Sequence, residues 1–309
     1  MTEEPGGWSV QNIMLGSGGQ SLAYDPVDGK MFLTLPAQDQ IDVFNATTNQ
    51  MIMEFGGSGD FSLPYGMAYD PLNGELYVAN AGWDSVSAVD PNTYSLIANI
   101  SLGQKAPEAI AYSNATGLLY VANYGNDSVS VIDGRTNTLS GSPIQVGQGP
   151  EEIAYDLANQ DIYVTCANAG TVTVISNASK VVSTINVGRL PVGIAYNPNN
   201  DAMYVAELGG RADGAVVEIN SSTNSVVANI TGMGPEPYGI AYDANGNYLI
   251  VTCGASDCAN VLNATNNELA GSITVGSVPG NIAYDPASGY IYVLNSLSQS
   301  LSLVSRTPG

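Results

Sequence analysis

The sequence predicts an all-β fold, a seven-bladed β-propeller of four-stranded antiparallel blades, and three observations carry that reading. First, an Ala-Tyr pair recurs with its tyrosine at Tyr24, Tyr69, Tyr112, Tyr155, Tyr196, Tyr242 and Tyr284, at spacings of 45, 43, 43, 41, 46 and 42 residues. That period is the length of a four-stranded blade. Second, runs rich in Val, Ile, Tyr and Thr alternate with clusters of Gly, Asn, Asp and Pro, as strands alternate with turns. Third, the two ends complement each other. After Tyr284 come three strands, roughly 282–285, 290–295 and 300–305, and no fourth. SVQNIMLG (9–16) matches VVSTINVG (181–188), the last strand of the fourth unit. The N-terminal strand is therefore expected to complete the C-terminal blade and close the ring, with residues 1–309 forming a single domain.

The second unit (66–103) gives the order of elements within a blade. A first strand ends in Ala-Tyr, and an Asp-Pro-x-Asn-Gly turn leads into Leu-Tyr-Val-Ala-Asn. A loop and Ser-Val-Ser-Ala-Val-Asp follow, and the last strand ends in Leu-Gly. No segment holds a helical period long enough to compete. In such a blade the loops from second to third strand share one face, here called upper, with the crossovers into the next blade. The opposite face carries short, nearly uniform turns, which read as turn chemistry.

Composition excludes several classes of function. Seven Lys+Arg against 28 Asp+Glu give a net charge of −21, which disfavours nucleic acid and anionic lipid as partners. With no histidine, there is no Ser-His-Asp triad and no imidazole metal ligand. No apolar run is long enough for a membrane span. Residues 1–5 lack the basic and apolar regions of a signal peptide, so a secreted form would be a mature or excised segment. Few basic groups also means little self-repulsion once the carboxylates are protonated, which suits an acidic, extracellular setting.

The second-strand motif stands as YVAN (77–80, 120–123), YVTC (163–166), YVAE (204–207) and YVLN (292–295). With SVSVID (128–133) and INVGRLPVGIAY (185–196), it resembles the YVTN family of β-propellers over essentially the whole chain. The resemblance implies the seven-bladed fold and a place among archaeal surface-layer and other cell-envelope proteins. It implies no particular activity, so function has to be read from the site.

Variation among the upper-face loops marks the candidate site. The blade 5 loop, Leu208 to Gly214, is longer than its counterparts and adds Arg211 and Asp213. The crossover into blade 2 (56–66) is extended as well. The residue after each crossover proline is expected near the channel mouth, and these positions include Gln20, Tyr65, Glu108, Glu151, Val192, Tyr238 and Gly280. Glu152, Glu207, Trp83 and Tyr124 join them. Aromatic faces beside carboxylates suit a small molecule, a glycan or a surface-protein ligand. The alternative is that these aromatics only pack loops. Glu108 and Glu151, equivalent on adjacent blades, are the candidates for acid–base chemistry or for a hard cation such as calcium, and no other cofactor is implied. The bland reading of both is a solvated acidic surface.

The function expected is a non-catalytic secreted or cell-surface propeller that binds through its upper loops. The alternatives are a carboxylate-based glycosidase, a cation-dependent lactonase-like hydrolase, or a purely architectural surface-layer module. Asp39, Asp84, Asp127 and Asp257, which close four of the loops, read as side-chain-to-backbone caps. Eight Asn-x-Ser/Thr triplets, at Asn45, Asn99, Asn114, Asn126, Asn177, Asn220, Asn229 and Asn263, are compatible with glycosylation. Cys253 and Cys258 flank a four-residue loop and should face each other across a strand pair, within reach of a disulfide or as two reduced thiols.

Overall fold

Val, Ile, Tyr and Ala fill the second and third strands of each repeat, and burial explains why. In Leu118–Asn123 and Ser128–Asp133 nearly every residue is buried, on both faces of the sheet. The fourth strands, such as Ser95–Ser101, are mostly exposed and carry polar residues among the apolar ones. The computed structural model describes residues 2–4, 7–57, 59–210 and 213–306. They form seven antiparallel sheets of the expected strand order, and the fold class is a seven-bladed β-propeller. Blade 2 has the strands Pro64–Asp70, Glu75–Asn80, Ser85–Asp90 and Ser95–Ser101. Among the described residues there is no α-helix, only three short 3₁₀ turns in the upper loops, and no helix long and apolar enough to cross a membrane.

The chain divides into two compact units, Ser21–Asn186 with blades 1 to 4, and Met1–Gln20 with Val187–Gly309, which holds blades 5 to 7. In the second of these, Trp8–Met14 pairs antiparallel with Ser300–Arg306 and completes blade 7, as the sequence match requires. The strand ends two residues before the expected boundary, and Thr2–Glu4 adds a further strand outside it. Blade 3 departs from the pattern in another way. Its fourth strand is split into Thr138–Leu139 and Ile144–Gln145, around a segment containing Pro143, which cannot donate to a ladder.

The second-strand motif is a clasp between blades. Tyr77, Tyr120 and Tyr204 are fully buried, and each phenol reaches the next blade. Tyr77 donates to Asn137 Oδ1 at 2.5 Å, Tyr120 meets Ser179 Oγ at 3.2 Å, and Tyr204 donates to Asn267 Oδ1 at 3.4 Å. The motif's asparagine ties its own sheet. Asn80, Asn123 and Asn295 donate to Ser87, Ser130 and Ser302 hydroxyls at 2.9, 2.9 and 2.8 Å. Asp25, Asp70, Asp156, Asp243 and Asp285, after the Ala-Tyr pairs, are buried and accept amides of the turns that follow.

Candidate functional site

The six crossovers that carry a proline deliver their residues to the upper face by the same backbone device. The residue before the proline has a left-handed conformation: Leu63, Ala106, Gly149, Leu190, Glu236 and Val278, with φ between 47° and 66°. For a leucine or valine that conformation is strained, and something must hold it. The aspartates of the loop column do so. Asp39, Asp84, Asp127 and Asp257 accept the N–H of Leu63, Ala106, Gly149 and Val278 at 2.8 to 3.0 Å. Directly after each proline the ladder register slips, as a β-bulge does. A buried threonine steadies two of these bulges: Thr252 Oγ1 accepts the Gly239 amide at 2.8 Å, and Thr165 Oγ1 accepts the Glu152 amide at 3.0 Å.

In the Ser21–Asn186 unit this geometry brings together Tyr65, Glu108, Glu151 and Glu152, all half-buried. Glu152 stands where blades 2, 5 and 6 have Gly66, Gly193 and Gly239, whose missing Cβ lets neighbouring inner strands approach closely. Burial pushes the Glu108 carboxyl up to about 7, and repulsion from Glu151 and Glu152 adds to it. Burial likewise raises Glu152 to about 7, against a hydrogen bond from the Ile153 N–H and with Glu151 adding repulsion. Tyr65 is raised by burial and then by the charges of Glu108 and Glu151. Near neutrality these carboxyls can hold or release a proton, as acid–base chemistry needs. Among the described residues, no group of three or more Asp, Glu or Cys is arranged to hold a metal ion.

The remaining sequence candidates are dispersed. Trp83 is exposed in its loop, and Tyr124 accepts a hydrogen bond from Asn168 Nδ2 at 3.1 Å in the next blade's loop. Glu207 accepts the Arg189 backbone N–H and so caps the crossover into blade 5. Arg211 lies outside the described residues, and Asp213 opens the strand Asp213–Asn220.

In the unit of blades 5 to 7 the upper face opens into a cavity of about 350 Å³. Leu208, Tyr238, Val278 and Leu294 form its apolar wall, and Gln20, Glu236, Asn281 and Ser296 bring polar side chains. Asn281 Nδ2 donates to the Gln20 carbonyl at 2.6 Å, fixing the edge of the site. Gly254 and Gly280 keep it open, since a Cβ at either would meet nothing closer than 3.7 Å. Of the described residues expected to bind ligand, Tyr238 lines this cavity. Gly280 carried a signal as a glycine after a crossover proline, and Gln20 as an amide at the equivalent position of the crossover into blade 1. Glu236 and Val278 carried none beyond their place before a proline.

Cys253 and Cys258 are directly opposed across their strand pair, as the loop length predicts. Both stand as free thiols, the reduced of the two alternatives, as does buried Cys166. A hydrogen bond from Cys253 lowers the Cys258 thiol to about 6, while the same bond and burial raise Cys253. A thiolate facing a thiol across a ladder is poised to close a bridge under oxidation. Thiol titration of the denatured protein should read three thiols before treatment with oxidised glutathione and one after it. Three thiols after treatment would refute the pairing.

No protein-family model and no curated protein matches the chain. Solved structures do. Hydrazine synthase of Kuenenia stuttgartiensis superposes with a TM-score of 0.82 over 96% of this chain and 97% of that one, at 20% identity. Virginiamycin B lyase from Staphylococcus aureus gives 0.81 over 96% of this chain and 99% of that one, at 15% identity. A catalytically inactive histidine-to-alanine form of that lyase, solved with quinupristin, gives 0.82 with the same coverage and identity. At such identities the likeness is one of fold.

Proposed function

We propose that the protein is a secreted or cell-surface propeller of the YVTN type that binds a small amphipathic ligand, such as a glycan, on its upper face without transforming it. The observation that carries this reading is the 350 Å³ cavity, whose apolar wall faces a few fixed polar groups. The absence of histidine supports binding over chemistry, because the lyase of similar fold is inactive when one histidine becomes alanine. A glycan array at acidic and neutral pH tests it, with Gly280→Leu as the variant that fills the cavity. Binding without turnover that Gly280→Leu abolishes is the expected result. Binding unaffected by that variant would remove the cavity from the account.

A second reading, a carboxylate-based hydrolase using Glu108, Glu151 and Glu152, is favoured by the carboxyls raised to about 7. Calcium is the cation that would relieve their repulsion. Turnover of a glycoside or lactone panel that Glu108→Gln abolishes would establish it, and titration calorimetry with calcium reads the cation.

A further inference from the structure

Among the described residues, the cavity of blades 5 to 7 has one charged side chain on its wall, Glu236, and no lysine or arginine. Several of its donors are already spent on backbone carbonyls. The Gly254 amide donates to the Glu236 carbonyl at 2.9 Å, and the Ser296 amide to the Val278 carbonyl at 3.0 Å. Ser296 Oγ also donates to the Val278 carbonyl at 3.1 Å, and Asn281 Nδ2 to that of Gln20. The charge in its described lining is therefore a carboxylate, beside the Gln20 amide and the Tyr238 hydroxyl. Glu236 is also held in place: its left-handed φ of 58° and the following Pro237 fix the backbone that carries it. Tyr238, Leu208 and Val278 line the same cavity, the last a β-branched residue kept at φ 54°. A chain of net charge −21 adds a field that draws cations and repels anions.

We propose that this cavity selects ligands with a protonated primary amine beside an apolar body, with Glu236 as counter-ion and the wall of Leu208, Tyr238 and Val278 taking the apolar part. The proposal rests on the reading of the cavity as the ligand site and narrows it. An ammonium group brings donors and the opposite charge to the Glu236 carboxylate, and such charge-assisted bonds are about twice as strong as neutral ones. Amino sugars and aralkylamines share this chemistry.

Titration calorimetry with phenethylamine, phenethyl alcohol and hydrocinnamate holds the apolar body constant while the head group changes. Glucosamine against glucose does the same for a sugar and tells the two sources apart. Phenethylamine or glucosamine should bind at least about tenfold more tightly than its neutral partner, with hydrocinnamate weakest. Glu236→Gln should erase that preference. Glu54→Gln, which removes the same charge from an exposed outer strand, should leave it intact. Gly280→Leu should abolish binding of every probe. Equal binding of amine and neutral probes, still lost in Gly280→Leu, would overturn the amine proposal and spare the ligand site. Failure of all probes, or binding indifferent to Gly280→Leu, would overturn both.

Discussion

The protein is expected to melt about 5 °C higher near pH 5 than near pH 8. Glu108 and Glu152 ionise near 4.5 in an unfolded chain, and burial in the fold moves both to about 7. Between those values the folded state holds protons that the unfolded state has released, so stability falls as pH rises through about 7. Below 4.5 their contribution is complete. Asp42 and Asp161, also raised by burial, act in the same direction. Asp90, Asp133 and Asp201 act against them. Hydrogen bonds from the Asn92 amide, Arg135 and Tyr196 hold these carboxyls below 3.8, so their contribution is lost as the pH falls through their lowered values. The optimum therefore lies in mild acid. The Glu108→Gln, Glu152→Gln double variant should melt higher than the parent near pH 8 and show a much smaller pH difference. At a few kcal/mol for the pair, the change is well within calorimetric reach. An unaltered pH difference would refute the assignment, and a variant that melts lower near pH 8 would mean the carboxylates hold the fold together.

The blade pattern was legible because burial on both faces forces the middle strands of every repeat into one composition. Tyr77 and Asn80 recur as a motif because each closes a specific bond in each copy. The aspartate column could be read as turn chemistry from Asp39 and Asp84, but its partners in the following crossover could not. A strand's alternation places side chains until a bulge intervenes, and every proline that opens an inner strand is followed by one. Tyr65 and Glu108 fell near each other as expected. Glu152, at a position that three other blades give to glycine, owes its burial to a register that pattern alone does not fix. The cavity of blades 5 to 7 was harder still. Its volume comes from what Gly254 and Gly280 lack, and its charge from Glu236, a residue that sequence reading treats as part of a connection.

Deletion of residues 1–16 should cost the protein its cooperative melting, or lower the midpoint by more than about 10 °C. The strand Trp8–Met14 is paired along its whole length with Ser300–Arg306, so its loss bares the full edge of that strand. Its buried side chains matter as much as its ladder. Trp8 and Val10 are 6% and 3% exposed and pack in the core that joins blades 6 and 7. The Arg306 guanidinium lies 5.2 Å from the Trp8 ring centre and 4.5 Å from that of Tyr248, with its Nη2 3.2 Å from Asp243. The Trp8–Met14 and Ser300–Arg306 strands thus grip blade 6 through one stacked cation. Trp8→Ala alone should cost about 3–5 kcal/mol, the usual range for emptying an aromatic site in a core. That variant gives a reading even if the truncated chain does not fold. A synthetic peptide of residues 7–16 supplied to the truncated protein should restore the transition, since an open edge accepts a matching strand. A truncated protein that melts like the parent, or a Trp8→Ala variant with an unchanged midpoint, would show that blade 7 stands without its N-terminal strand.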